Sequence, residues 1–278
     1  MKDIRSFPIW NTRQADLCAL TDYLQHTLPD LCITGAIVFG SQVRSEATCT
    51  AASDVDIVAY SSRFHRESGQ QWIDYIRSRG GDFVDKEPLY LEDFISGRIE
   101  FFYRIGDTTF DVNLFPAALG GYERRYSNAA HDSLELVIGA MYVHAARLFG
   151  EIPFEPLLKE EFLPFYGDDL RRARMAQLED RVRAGIAKCR SALQSGNSNL
   201  LYQVYKTRGY LIKWLFIRSR IYPVDLDRYL ERQLAEIPAL SRETVAALLL
   251  RSGTVTDACG EFLNTAEMLL DSPVDRPD

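Results

Sequence analysis

The chain has 278 residues, 46% of them hydrophobic, so it is long enough for one large domain or two ordinary domains with their own cores. Its formal net charge of −7 disfavours a protein that grips long nucleic acids, because such proteins usually carry a basic surface that meets the phosphates. No apolar run approaches the roughly 20 residues that cross a bilayer, and the N-terminus lacks a signal-peptide pattern, so we expect a cytoplasmic protein with no membrane partner.

The beginning of the chain alternates helical and strand patterns. Leucines spaced three to four residues apart predict a first helix, which Asn11 caps and Pro29 ends. Residues 33–39 and 55–60 predict buried strands. Trp72, Ile73 and Ile76 predict a helix over roughly residues 67–78.

A β-hairpin is predicted over residues 98–115, because two arms rich in aromatic and β-branched residues flank Gly106-Asp107. With these two residues as the turn, Phe102 lies opposite Asp111, and Glu100 shares the Asp111 face. A slip of one residue would turn Glu100 to the opposite face.

The rest of the chain has mainly helical periodicity. The helices are predicted near residues 131–149, 168–195, 199–220, 225–235, 241–251 and 254–270. Mixed elements followed by helices alone predict an α/β (α+β) domain over residues 1–125 and a helical domain over residues 126–278.

The most informative residues follow the two predicted strands. The first strand ends at Gly40-Ser41, where glycine lets the backbone approach a ligand and exposed amides suit phosphate oxygens. Asp54 and Asp56 have the i, i+2 spacing that places two side chains on one face of a strand. Two neighbouring carboxylates are typical of a divalent cation site, although aspartates also occur as solvated residues at strand ends.

Asp111 supplies a third carboxylate on a later strand, where it alternates with the apolar residues Phe110 and Val112. Three acids on strands are enough to hold two divalent metal ions. The combination of Gly40-Ser41, the aspartate pair and Asp111 favours a metal site over solvated strand ends.

Over roughly residues 33–115 these motifs resemble the DNA polymerase β-type nucleotidyltransferase superfamily. Arg44 matches a basic residue that small bacterial members often carry after the Gly-Ser pair, whereas Gln42 and Asn113 depart from the pattern. The resemblance implies a mixed-sheet palm, two Mg²⁺ ions, and transfer of a nucleotidyl group from an NTP with release of pyrophosphate.

The helical remainder more loosely resembles the C-terminal bundles of the aminoglycoside and lincosamide nucleotidyltransferases. Lys213-Trp214-Leu215-Phe216 and Tyr222-Pro223 carry this resemblance. It implies a helical bundle that closes over the nucleotide and contacts the acceptor.

Two further residues receive roles. Glu100 is a candidate general base for an acceptor hydroxyl, with a surface glutamate at a strand start as the alternative. Lys206 shares a helical stripe with Tyr210 and is a candidate triphosphate contact, with a solvated helix face as the alternative.

We therefore expect a magnesium-dependent nucleotidyltransferase that passes AMP from ATP to a hydroxyl of a small molecule such as an antibiotic. Asp54 and Asp56 would bind both metal ions, Asp111 would bind the catalytic one, and Gly40, Ser41 and Arg44 would contact the nucleotide. The alternatives are transfer to a tRNA or protein hydroxyl, and a module that binds nucleotide without turnover. The sequence assigns no oligomeric state.

Overall fold

A computed structural model gives the structure of the chain. It describes residues 1–43, 54–84, 87–92, 97–117, 136, 139–140, 143–153, 155, 160, 163–224, 226, 229–238, 240–251 and 253–272.

A mixed seven-stranded sheet forms the centre of the first part of the molecule. Its strands are β1 (Lys2–Asp3), β2 (Ile33–Phe39), β3 (Val55–Ser61), β4 (Leu89–Glu92), β5 (Gly97–Ile105), β6 (Thr108–Pro116) and β7 (Ala146–Gly150). They lie in the order β1-β7-β2-β3-β6-β5-β4. The β1–β7 and β3–β6 pairs are parallel and the other four pairs are antiparallel, which confirms the predicted mixed sheet.

One face of this sheet is apolar and carries the core. Along β6, residues alternate strictly between buried and half-buried, as expected for a strand with one covered face. Two helices, α1 (Pro8–Asp22) and α2 (Gly69–Ser78), supply apolar residues to the same core. That core includes Leu17, Leu20, Val55, Ile57, Ile73, Ile76, Phe110 and Val112. Asp56 on β3 and Asp111 and Asn113 on β6 consequently lie on the other face.

The first helix begins earlier than predicted. Pro8 occupies its first turn and Phe7 is the residue before it, so the expected cap at Asn11 is wrong. Proline suits this position because its fixed φ matches the helix and its missing N–H would be unpaired there anyway.

The predicted helix over residues 131–149 is wrong at its end, because β7 (Ala146–Gly150) is a strand. This strand pairs with β2 on one side and with β1 on the other. The chain divides into one compact unit of residues 1–125 and 141–160 and a second of residues 126–140 and 161–278. The first unit therefore includes residues 141–160, which a single boundary after residue 125 would exclude from it.

The second unit is helical, as predicted. Its described helices are α3 (Asp168–Ser195), α4 (Leu200–Arg218), α5 (Leu230–Ala235), α6 (Arg242–Leu248) and α7 (Val255–Asp271). Helix α3 packs along α4, and α7 packs against both. None of the helices in the described ranges is long and apolar enough to cross a membrane.

Candidate active site

Asp56 and Asp111 lie side by side at the centre of the sheet. Strands β3 and β6 are parallel neighbours, and their register makes these two residues direct Cα partners. Side chains of directly paired residues project to the same face. Their sequence neighbours Val55, Ile57 and Phe110 are fully buried on the opposite, apolar face, so both carboxylates are directed to the polar face.

Gly40 lies against the Asp56 carboxylate. Strand β2 ends at Phe39, which pairs with Asp56, and the chain then enters a short 3₁₀ turn at Gly40–Val43. Gly40 has a φ of +79°, and a Cβ atom added to it would overlap Asp56 Oδ2. Glycine is required here both by backbone conformation and by the space that the carboxylate occupies.

Glu100 lies on the same face, as the hairpin register predicted. Phe102 pairs with Asp111 and Glu100 pairs with Asn113, which confirms the register set by the Gly106-Asp107 turn. Arg98, two residues before Glu100 on β5, donates from Nη2 to Glu100 Oε2 at 3.2 Å. This ion pair is partly shielded, since the Glu100 side chain is 18% exposed.

Asn113 is a neighbour of Asp111 on β6 and of Glu100 on β5 on this face. Its Nδ2 donates a hydrogen bond to Asp111 Oδ1 at 3.0 Å, and its backbone pairs with Glu100 across β5 and β6. Polar residues on three neighbouring strands therefore lie next to one another on this face. They are Arg98 and Glu100 on β5, Asn113 and Asp111 on β6, and Asp56 on β3.

The electrostatics of Asp111 reflect this crowding. Burial raises the pKa of Asp111 to about 6, and the negative charges of Glu100 and Asp54 add to the rise. Arg98 and the hydrogen bond from Asn113 act in the opposite direction and lower the pKa. A carboxylate in this position gains from a nearby cation, because a cation favours its charged form.

Asp54 lies at the edge of this group. It immediately precedes β3 and is exposed, whereas Asp56 and Asp111 are half-buried. Within the described ranges, no three His, Cys, Asp or Glu side chains are close enough together to hold a metal ion. Asp56 and Asp111 are therefore the directly paired acids, and Asp54, which remains a predicted ligand, is near enough to influence the Asp111 pKa.

Three further residues, Ser41, Arg44 and Lys206, were predicted to contact the nucleotide. Ser41 lies in the 3₁₀ turn after β2, and Arg44 lies outside the described residues. Lys206 is on α4 in the helical unit, where it lines a groove between α3 and α4 together with Arg181, Lys188 and Tyr210.

Two polar residues of the site received no role from the sequence: Arg98 and Asn113. Each lies two residues from a candidate acid on the same strand, Arg98 before Glu100 and Asn113 after Asp111. The i, i+2 rule that groups Asp54 with Asp56 also reaches these positions, so strand spacing is the signal that identifies them.

Comparison with known proteins gives a structural likeness but no match to a protein family. No family of known proteins matches this sequence, and no curated protein does. The chain is similar to the crystal structure of a nucleotidyltransferase-like protein from Exiguobacterium sibiricum, with 14% sequence identity and a TM-score of 0.44. The match covers 91% of this chain and 73% of that chain.

Proposed function

We propose that this chain is a magnesium-dependent nucleotidyltransferase that transfers a nucleoside monophosphate from an NTP to a hydroxyl of a small acceptor, with release of pyrophosphate. The observation that carries the proposal is the direct pairing of Asp56 with Asp111 beside Gly40. ATP is the expected nucleotide and AMP the expected group.

The donor set fits magnesium. Mg²⁺ prefers hard oxygen ligands and is usually held by one or two carboxylates together with substrate phosphates. Asp56 and Asp111 supply such a pair, and Asp54 offers a third carboxylate from its exposed position before β3. Mg²⁺, in two ions as the family resemblance implies, would neutralise phosphate charge and lower the pKa of the attacking hydroxyl.

The chain's own residues account for the proton and for nucleotide contacts. The acceptor oxygen forms a bond to the α-phosphorus, and the bond from that phosphorus to the bridging oxygen breaks, so pyrophosphate leaves with its electron pair. Glu100, held by Arg98, takes the hydroxyl proton. The turn at Gly40 and Ser41 would bind phosphate oxygens through backbone amides, because glycine at position 40 keeps that backbone accessible. We assign Arg44 and Lys206 to the nucleotide as further contacts.

A small acceptor is favoured by the charge of the chain. With a net charge of −7 it is poorly suited to a long polyanion, and cationic small molecules such as aminoglycosides would be attracted to an acidic surface. Modification of an antibiotic hydroxyl is the specific form of the proposal.

The decisive test is a pyrophosphate-release screen with Mg²⁺, four NTPs and a panel of aminoglycosides and lincosamides, with tRNA as a separate arm. We expect release with at least one small acceptor, and a loss of at least about 100-fold in Asp56→Asn, since charge neutralisation supplies most of the catalysis in such transfers. Asp107→Asn is the matched control, because Asp107 lies in the exposed hairpin turn. An Asp56→Asn protein as active as the parent would eliminate this assignment, and release with tRNA alone would exclude the small acceptor.

A further inference from the structure

Asn113 occupies a specific place among the acids of the candidate site. It follows Asp111 by two residues on β6, and its Cα partners are Glu100 on β5 and Val58 on β3. The side chain is half-buried and lies on the same face of the sheet as the Asp111 carboxylate.

The contact with Asp111 has a defined direction. Asn113 Nδ2 donates to Asp111 Oδ1 at 3.0 Å, and an ionised carboxylate can only accept. The hydrogen bond engages one carboxylate oxygen and restrains the orientation of the whole group. Among the described residues no hydrogen bond to the other oxygen, Oδ2, accompanies this one, so Oδ2 can bind a different partner.

The chemistry of asparagine suits this place better than that of a charged residue. A lysine or arginine would also donate, but it would neutralise Asp111 and compete with a cation for it. An aspartate would have no N–H to donate and would add a negative charge opposite Glu100. A neutral amide orients the carboxylate and leaves its negative charge intact.

We propose that Asn113 is a positioning residue that holds Asp111 in the orientation needed to bind a divalent cation through Oδ2. This inference rests on the metal site of the proposed function. Residues that hydrogen-bond to metal ligands fix ligand orientation, and their loss typically weakens metal binding about 10- to 100-fold.

The test measures Mn²⁺ binding by titration calorimetry without nucleotide, alongside the Mg²⁺ dependence of pyrophosphate release. We expect Asn113→Ala to weaken Mn²⁺ binding about 10- to 100-fold and to raise the Mg²⁺ concentration for half-maximal activity, with a smaller change in kcat at saturating Mg²⁺. Asn113→Gln retains the amide donor and should recover part of the affinity. Thr109→Val is the matched control, because Thr109 lies two residues from Asp111 in the other direction on the same strand.

The outcomes separate this inference from the proposed function. Unchanged Mn²⁺ affinity in Asn113→Ala overturns the positioning role even if the enzyme is active. Weakened affinity in a protein that releases no pyrophosphate with any acceptor supports the positioning role and rejects the transferase. A parent chain that binds no Mn²⁺ overturns the positioning role, whereas the pyrophosphate-release screen alone decides the proposed transferase. If Asn113→Ala fails to fold, Asn113→Val removes the donor while keeping a residue that favours strands, and the same criteria apply.

Discussion

Asp56 and Asp111 are direct partners across two parallel strands, although α2, β4 and β5 lie between them in the chain. Parallel neighbours cannot be joined by a tight turn, so the register of this pair depends on packing over the whole sheet. A shift of one residue would direct one carboxylate into the face that holds Ile57 and Phe110. The juxtaposition of the two acids is therefore fixed by the core beneath them.

Gly40→Ala tests whether the contact between Gly40 and the Asp56 carboxylate is needed for activity. A residue with a Cβ at positive φ costs about 1–2 kcal/mol, and at position 40 the Cβ would also displace the Asp56 carboxylate. We expect lower stability in urea denaturation and at least about a tenfold loss of pyrophosphate release, equivalent to roughly 1.4 kcal/mol.

Gly80→Ala is the matched control for this change. Gly80 has a φ of +72°, and an added Cβ there would have no atom within 4 Å. It should show the backbone cost without the loss of turnover. If the two variants lose the same activity, contact between Gly40 and Asp56 has no part in the reaction.

The raised pKa of Asp111 predicts a pH dependence of stability in the metal-free protein. Its pKa in the folded chain is about 6, above the ordinary value of 3.8, so the folded state binds this proton more tightly than the unfolded state. The contribution to stability is therefore full below pH of about 4 and is lost as pH rises through about 6.

Urea denaturation with EDTA at pH 5 and pH 7.5 measures this effect. We expect the free energy of unfolding of the parent to fall more between these two pH values than that of Asp111→Asn, which cannot titrate. Parallel behaviour of the two proteins would show that Asp111 titrates in its ordinary range. Mn²⁺ affinity should rise over the same interval, since the ionised carboxylate is the form that binds a cation.

Local signals explain which elements the sequence predicts correctly. The strand predicted at 33–39 matches β2, and the helix predicted at 168–195 matches α3, which ends at Gly196 in a left-handed conformation. The hairpin register was predictable because the turn at Gly106-Asp107 determines it.

Non-local pairing explains what the sequence misses. Strand β7 is short, and its strand conformation depends on partners from distant parts of the chain, β1 and β2, which a helical pattern over 131–149 does not reveal. For the same reason the pattern places Asp56 and Asp111 on strands but does not establish that these strands are neighbours. The hydrogen bond from Asn113 to Asp111 requires side-chain geometry as well as spacing.

Glu100→Gln tests the general base. The amide keeps an oxygen that can accept from Arg98 Nη2, so the ion-pair geometry is largely retained while the proton acceptor is lost. We expect kcat to fall about 10²- to 10⁴-fold, with little change in KM for the NTP.

The control for this variant is Glu87→Gln, which changes an exposed acid paired with Arg77 at 2.7 Å. Its kinetics should match those of the parent. A Glu100→Gln protein with parental kcat would identify Glu100 as a surface residue at a strand start, and another group would have to accept the proton.

Lys206→Ala tests the assignment of a phosphate contact to the helical unit. Lys206 shares its groove with Arg181 and Lys188. No acid is among the described residues that line this groove, so its cationic side chains favour an anionic ligand. Loss of one charge-assisted contact should weaken ATP binding about tenfold, or roughly 1.4 kcal/mol, as measured by calorimetry. Lys213→Ala is the control, because Lys213 is on the same helix but does not line the groove. Equal ATP affinity in the parent and in Lys206→Ala would assign Lys206 to a solvated helix face and leave nucleotide recognition to other residues.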